Sequence, residues 1–136
     1  MTLRDQLVRD EGRRLKPYRD QLGILTIGVG RNLEANGISY DECDLMLDND
    51  IARFEAAVRV RLPWSGCLTA PRHAVLVGMA FNMGVGGLLA FRRMLTACEH
   101  GDYAEAAREM LDSRWAGQVG DRAQRLAQQM ESGEWR

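Results

Sequence analysis

The stretch EGRRLKPYRDQLGILTIGVG, from Glu11 to Gly30, decides how the N-terminal part of this chain folds. Residues Leu15 to Arg19 and Ile24 to Val29 are predicted to be two short strands, because both segments are rich in strand-forming residues and are bounded by turn residues. The four residues between them begin with Asp20 and end with Gly23, at positions i and i+3 of a β-turn. The stretch is therefore predicted to form a β-hairpin.

Helical signals occupy most of the remaining chain. Gly12 is placed to end a first helix, and Pro63 to end a second, long one. Thr69 is placed to cap an almost wholly apolar segment, the glycines of Gly84–Gly87 are predicted to break the chain, and a last helix follows Asp121. Three capping boxes predict where helices begin, and they pair Thr2 with Asp5, Ser39 with Glu42, and Asp102 with Glu105.

The predicted fold class is α+β and mostly helical, in one domain over residues 1–136. We expect a small lobe containing the hairpin at about 12–38 and a long connecting helix at about 39–62. A helical lobe is expected at about 63–136, together with the N-terminal helix at 2–11. The sequence shows no internal repeat or linker that would divide it further.

Composition excludes several classes of protein. The net charge of −1 argues against a nucleic-acid-binding domain, which is usually strongly basic. No apolar run reaches the 18 or so residues that a membrane span needs, and the N-terminus is too charged for a secretory signal. Cys43, Cys67 and Cys98 are odd in number and lack CxxC spacing, so we expect them to be reduced. We therefore expect a chain that is made in the cytoplasm and does not insert into membranes. We also expect it to be a monomer.

Three polar side chains of the opening stretch are candidates for chemistry. Glu11 ends the first helix, Asp20 lies in the hairpin turn and Thr26 lies on the second strand, so the hairpin folded on its helix would bring them together. Leu25, Ile27 and Val29 alternate onto one face of that strand, which predicts that Thr26 points away from the core with Gly28. Glycines at 28 and 30 suit close approach of a ligand or another backbone, or else mark a bulge or tight packing.

Two carboxyl groups at one cleft suit hydrolysis of a glycosidic bond, in which one must carry a proton and the other must be ionised. A glutamate partly enclosed by apolar side chains keeps its proton to higher pH, so Glu11 fits the acid. Asp20, in a hydrated turn, fits the base, and the Thr26 hydroxyl could hold a water molecule against it. Taken singly, each residue also has an ordinary explanation. Glu11 can be a solvated residue in the last turn of a helix, Asp20 a residue that forms the turn, and Thr26 an ordinary strand residue.

As a pattern, the stretch reads E-G-x2-L-x2-Y-x-D-x2-G-x2-T-I-G-x-G, and it resembles the phage-type lysozymes of glycoside hydrolase family 24, which include the lysozyme of the T-even phages. The E-x8-D-x5-T spacing matches the catalytic signature of that family. The resemblance extends over essentially the whole chain, because further family segments follow in the family's order: SYDECDLMLDNDI, MAFNMGVGG, EAA, SRWAGQ, DRAQR and GEW.

The resemblance implies hydrolysis of the β-1,4 bond between N-acetylmuramic acid and N-acetylglucosamine in bacterial peptidoglycan. It makes Glu11 the general acid, while Asp20 and Thr26 position the attacking water. That is the inverting arrangement of the T-even enzyme, whereas other relatives retain configuration or form an anhydro product, so the outcome stays open. It also implies a cation near Glu11 from Arg122, for which a surface ion pair is an equal alternative. The remaining residues implied in substrate binding are Asn32, Phe81 and Asn82.

The chain departs from the family pattern at several positions. Arg31 replaces a common histidine, which puts local stabilisation in doubt more than catalysis. Only eight residues, RNLEANGI, separate Gly30 from the capped helix, so we expect a trimmed lobe and a more open cleft. Met94 and Glu109 replace small polar residues at substrate-contact positions and are not assigned to binding. Two aromatic residues are expected to fill core space rather than to stack on sugars, namely Tyr18 and Trp115.

No cofactor or metal is predicted. GVGRNL lacks the third glycine and the βαβ context of a dinucleotide-binding motif, and His73 and His100 are isolated from other metal ligands. Cys43 and Cys98 are expected to be buried small hydrophobes. Two functions remain: an endolysin released to the wall by a separate holin-type protein, and a non-catalytic wall-binding or structural module that keeps the fold.

Overall fold

The computed structural model describes residues 1–136, the whole chain, and confirms the predicted mostly helical α+β class. Three short strands form one antiparallel sheet in the order β1-β2-β3. The strands are β1 (Arg14–Arg19), β2 (Leu25–Gly28) and β3 (Arg31–Asn32). The helices are α1 (Leu3–Glu11), α2 (Leu33–Asn36), α3 (Tyr40–Arg61), α4 (Ala70–Leu89), α5 (Arg92–Glu99), α6 (Tyr103–Leu111), α7 (Arg114–Val119) and α8 (Asp121–Ser132).

Local capping explains most of the helix boundaries. The three predicted capping residues are Thr2, Ser39 and Asp102. The side chain of each accepts a hydrogen bond from the backbone amide three residues later. Thr69 does precede α4 but makes no side-chain hydrogen bond to it. Pro71 lies within the first turn and has no N–H to donate, which removes one of the amides a cap would satisfy.

The predicted break in the apolar segment is correct only at its first glycine. Gly84 has φ 80° and ψ 161° and interrupts α4, whereas Gly86 and Gly87 continue the helix. The chain turns next at Ala90 and Phe91, and α4 and α5 meet there at an angle of 101°. No helix by itself has the length and apolarity of a membrane span, although α4 and α5 taken as a bent pair satisfy those two criteria.

The chain divides into two compact units, Met1–Met46 and Leu47–Arg136, and the boundary falls inside α3. All 19 buried hydrophobic residues lie between Val58 and Met130, so the hydrophobic core belongs to the second unit. The first unit contains α1, the sheet and α2, and Thr26 is its only buried residue. The lobe boundaries expected from the sequence stay a prediction.

Candidate functional site

The register of the sheet places three polar side chains in one row. Thr26 pairs with Tyr18 of β1 on one side and with Asn32 of β3 on the other. Directly paired residues of an antiparallel sheet point to the same face, so the three side chains share a face. Thr26 is only 3% exposed, so it is enclosed within the first unit, and the prediction that it points away from the hydrophobic core, which belongs to the second unit, stays a prediction. Thr26 lies on the middle strand, between the larger side chains of Tyr18 and Asn32. The alternation of residues along one strand does not reveal what the neighbouring strands place beside it.

The hairpin turn fixes the carboxylate of Asp20. Its Oδ1 accepts hydrogen bonds from the backbone amides of Leu22 at 2.8 Å and Ile24 at 3.0 Å. The Gly23 amide donates to the Asp20 carbonyl at 2.9 Å, which confirms the predicted four-residue turn. Asp20 is thus a turn former, as its ordinary explanation requires. Its second carboxylate oxygen has no hydrogen-bond partner in the protein and is left for another donor.

The peptide groups of Ile24 connect Asp20 to Thr26. The Ile24 amide donates to the Asp20 carboxylate, and its carbonyl accepts from the Thr26 hydroxyl at 2.8 Å. The hydrogen of the Thr26 hydroxyl is therefore already used, and its oxygen retains the capacity to accept. Sequence reasoning missed this role of Ile24, and no signal for it exists, because a backbone role sets no requirement on the side chain.

Glu11 is the last residue of α1, and its carboxylate lies against the turn between β2 and β3. A Cβ atom placed on Gly30 would be 2.8 Å from Glu11 Oε2 and 2.9 Å from its Cδ. Of the alternatives for Gly30, tight packing is therefore correct, and the packed group is the candidate acid. Glu11 is exposed and not partly enclosed by apolar side chains as expected. It forms no ion pair within the protein, so its carboxylate is free to meet a ligand.

Arg31, at the position of the family's common histidine, forms a two-pronged ion pair with Glu42. Its two terminal nitrogens lie 2.6 Å from Glu42 Oε1 and 2.5 Å from Oε2. Glu42 Oε1 also accepts from the Ser39 amide at 2.8 Å as part of the α3 capping box. The hydrogen bonds from Arg31 and Ser39 lower the pKa of Glu42 to about 2. Arg31 therefore joins β3 to the start of α3 from the position of the family's common histidine.

Asn32 and Tyr18 have structural partners within the first unit. Asn32 Oδ1 accepts from the Ala35 amide at 2.9 Å and caps α2. Tyr18 is half-buried, and the guanidinium of Arg14 lies 4.4 Å from its ring centroid, so the prediction that Tyr18 fills core space is wrong. The cap uses the amide oxygen of Asn32, which leaves its NH2 group as the part able to contact a ligand.

Three more predicted residues lie in the second unit. Phe81 is 42% exposed, with its ring centroid 5.4 Å from that of Phe54. Asn82 accepts a hydrogen bond from Trp115 Nε1 at 3.0 Å, and Trp115 is a buried core residue as predicted. Arg122 is half-buried and forms no ion pair, so the surface ion pair considered for it is not found.

The cysteines are all free, and they differ in burial. Cys98 is buried as predicted, and burial raises the pKa of its thiol to about 11. Cys43 is exposed, so the prediction that it is a buried hydrophobe is wrong. It lies in the first unit, where no hydrophobic side chain is buried and an apolar environment does not form.

A sequence profile of the phage lysozyme family matches residues 8–131. The chain is 32% identical to the pre-baseplate central spike protein Gp5 of Enterobacteria phage T4, over 93% of this chain and 27% of that protein. It is 27% identical to probable T4-type lysozyme 1 of Dictyostelium discoideum, over 97% and 95% of the two chains. It is 35% identical to the SAR-endolysin of Escherichia phage Mu, over 86% and 67%. The chain thus spans about a quarter of the spike protein and nearly all of the Dictyostelium protein.

Proposed function

Because the chain belongs to the phage lysozyme family and is therefore a glycoside hydrolase, we propose that it cleaves peptidoglycan between N-acetylmuramic acid and N-acetylglucosamine, with Glu11 as general acid. Asp20 and Thr26 hold the attacking water. The observation that supports this division of roles best is the hydrogen bonding at Ile24, which leaves one oxygen on each of the two residues free to accept a hydrogen bond from water.

The attacking water must present a lone pair to the anomeric carbon, so both of its hydrogens need acceptors. The second carboxylate oxygen of Asp20 is one acceptor, because the first is occupied by two backbone amides. The Thr26 oxygen is the other, because its own hydrogen is donated to the Ile24 carbonyl. Asp20 takes one of the water's hydrogens as a proton when the carbon–oxygen bond forms, which is general base catalysis.

Glu11 donates a proton to the leaving glycosidic oxygen as its bond to the anomeric carbon breaks. Gly30 has no side chain, and this lets the Glu11 carboxylate lie directly on the turn that follows the Thr26 strand. Four residues are proposed to bind the glycan strand: Asn32, Phe81, Asn82 and Arg122.

The general acid is tested by comparing the release of reducing sugar from purified peptidoglycan by the wild type and Glu11→Gln. We expect the variant to lose activity on the order of 100-fold or more, since a positioned general acid contributes about 10²–10⁴. Asp10→Asn is the matched control, because it alters the neighbouring exposed carboxylate of α1, which Arg9 already binds at 2.9 Å. Equal rates for wild type and Glu11→Gln would rule out the acid assignment.

The proposed biological role is lysis of a bacterial host. The protein is made in the host cytoplasm and reaches the wall after a separate holin-type protein permeabilises the membrane. Expression in the cytoplasm of a bacterium should leave cells intact until a holin is co-expressed, and the culture's turbidity should then fall. Lysis without any permeabilising protein would contradict this route.

A second candidate is a wall-binding or structural module of a larger assembly. The similarity to Gp5, named as a central spike protein, favours it, because the aligned part is only 27% of that protein. If both the wild type and Glu11→Gln release no sugar but still sediment with cell walls, this candidate replaces the hydrolase.

A further inference from the structure

A hollow of about 350 Å³ lies in the second compact unit, among residues that the proposed reaction does not use. One wall comes from α3 with Glu55 and Arg59, and a second from a short 3-10 helix, Pro63–Cys67, that contains Ser65. The first turn of α4 contributes His73, and Trp135 of the C-terminal tail completes the lining. The hollow is therefore built from four separate segments of one folded unit.

Two buried polar atoms beside this hollow have no partner in the protein. Ser65 is completely buried, and its hydroxyl forms no hydrogen bond. The Nε2 atom of His73 is also buried and unpaired. Nearly all buried polar groups in folded proteins are hydrogen-bonded to protein or to ordered water, so these two atoms mark a polar wall behind the hollow, with an enclosed water as their natural partner. Neither atom is exposed, so a ligand in the hollow would contact the other groups of the lining.

The charges at the hollow favour a neutral ligand. Glu55 is half-buried, Arg59 lies one helical turn further along α3, and neither forms an ion pair or a side-chain hydrogen bond. A strongly anionic ligand would meet the carboxylate and a cationic one the guanidinium. A neutral ligand with several hydroxyl groups would instead donate to the first and accept from the second.

Trp135 presents an aromatic surface at the same hollow and is 65% exposed. Hydrogen bonds join the end of α8, before it, and Arg136, after it, to the rest of the second unit. Before it, Arg72 donates to two carbonyls at the end of α8, each at 2.8 Å. After it, Gln129 accepts from the Arg136 amide at 3.2 Å and donates to the Pro71 carbonyl at 2.8 Å. An exposed indole on a fixed support is a surface for stacking rather than a loose end.

We propose that this hollow binds one sugar ring of a wall glycan strand at a second site, separate from the site of bond cleavage. The indole of Trp135 packs on the C–H face of the ring, while Glu55 and Arg59 bind its hydroxyls. The volume lies near the lower end of the roughly 300–1,000 Å³ of ligand pockets, which fits a single ring. The choice of a wall glycan rests on the proposed function. A second contact with the same polymer keeps the enzyme near its substrate and raises its effective concentration there.

The test uses purified peptidoglycan sacculi as the probe and the full chain carrying Glu11→Gln, so that binding is measured without cleavage. Adding Trp135→Leu or Arg59→Met should weaken co-sedimentation with sacculi about tenfold. The variant would then bind the glycan at the cleavage site alone and would lose the gain in effective concentration from the second site. Arg61→Met is the matched control: it removes an exposed arginine of the same helix that does not line the hollow, and it should bind as before. In the otherwise wild-type chain, Trp135→Leu should raise KM for sacculi about tenfold and leave kcat unchanged.

The outcomes separate this inference from the proposed function. If the wild type cleaves sacculi and Trp135→Leu matches it in binding and KM, the second site is wrong and the hydrolase stands. If the wild type cleaves nothing but Trp135→Leu still weakens sedimentation, the second site stands and the hydrolase is wrong. If Arg61→Met weakens binding as much as Arg59→Met, attraction by general positive charge explains the result and the site is overturned.

Discussion

At the residue scale, Gly30 links the backbone of the sheet to the candidate acid. Alanine at this position would place a Cβ 2.8 Å from Glu11 Oε2, and the exposed Glu11 side chain would have to move. Since a displacement of about 1 Å in a catalytic group can cost about 100-fold, we expect Gly30→Ala to lose activity of that order. Peptidoglycan hydrolysis measures this, and thermal unfolding measures the accompanying loss of stability.

The variant Gly28→Ala distinguishes the effect of moving the Glu11 side chain from the effect of straining the backbone. Gly28 has φ +70°, close to the +66° of Gly30, but nothing lies within 4 Å of the Cβ it would gain. Both variants should therefore lose roughly 1–2 kcal/mol from the left-handed backbone, and only Gly30→Ala should lose activity through Glu11. Equal losses of activity in the two variants would show that the contact between Gly30 and Glu11 does not matter.

At the scale of secondary structure elements, the ion pair between Arg31 and Glu42 joins β3 to α3 and predicts a dependence of stability on pH. The folded state lowers the pKa of Glu42 to about 2, against about 4.3 for an ordinary glutamate. The stability from this pair is therefore fully present above about pH 4.5 and is lost as the pH falls towards 2. We expect Glu42→Gln to lower the Tm at pH 7, and its difference from wild type to shrink over that range.

Glu42 also caps α3, so a second variant is needed to isolate the pair. Arg31→Gln removes the ion pair and leaves the hydrogen bonds between Ser39 and Glu42 in place. The double variant should be less destabilised than the sum of the two single variants, because they share one interaction. A difference in Tm that stays constant from pH 7 to pH 2 would contradict the assignment.

Elements with strong local signals were predictable from the sequence. The capping residues of α1 and α3, and the turn from Asp20 to Gly23, act within four residues and need no tertiary context. Helix α7, which is six residues long and begins after Ser113, was not predicted. Ser113 is a suitable cap, but Ala116 stands where a capping box would have glutamate or glutamine. Short elements of this kind form because the surrounding core fixes them.

The sequence nominates the residues of the candidate site, but it does not predict the environment in which they lie. The spacing of Glu11, Asp20 and Thr26 marks them as a set, whereas their burial depends on which segments pack around them. Thr26 is buried because strands lie on both sides of it, and Glu11 is exposed because no apolar side chains enclose it. The contact between Glu11 and Gly30 joins residues 19 positions apart, and the spacing alone does not reveal it.

At the scale of the whole molecule, the two compact units differ in how they are stabilised. The second unit holds every buried hydrophobic residue, whereas the first buries only Thr26. In the first unit, a hollow of about 740 Å³ separates β2 from the start of α3, and Ile27, Leu33 and Leu45 line it without being buried. The first unit is stabilised instead by the hydrogen bonds of its sheet, by its helix caps and by ion pairs such as that of Arg19 with Glu34, at 2.8 Å. Surface ion pairs contribute little to stability, so the first unit should open more easily.

Hydrogen exchange tests this difference directly. Amides of the β1–β2 ladder should exchange about 100-fold faster than those of the buried part of α4, a difference of about 3 kcal/mol in opening free energy. The unit that carries Glu11, Asp20 and Thr26 would then open locally while the core of the second unit stays closed, so a bound glycan strand should slow exchange in the first unit most. The measurement is exchange followed by mass spectrometry, with Glu11→Gln used to keep added glycan intact. Uniform protection across both units would mean that the hairpin unfolds only with the whole chain, and that the first unit is held by interactions stronger than its exposed side chains provide.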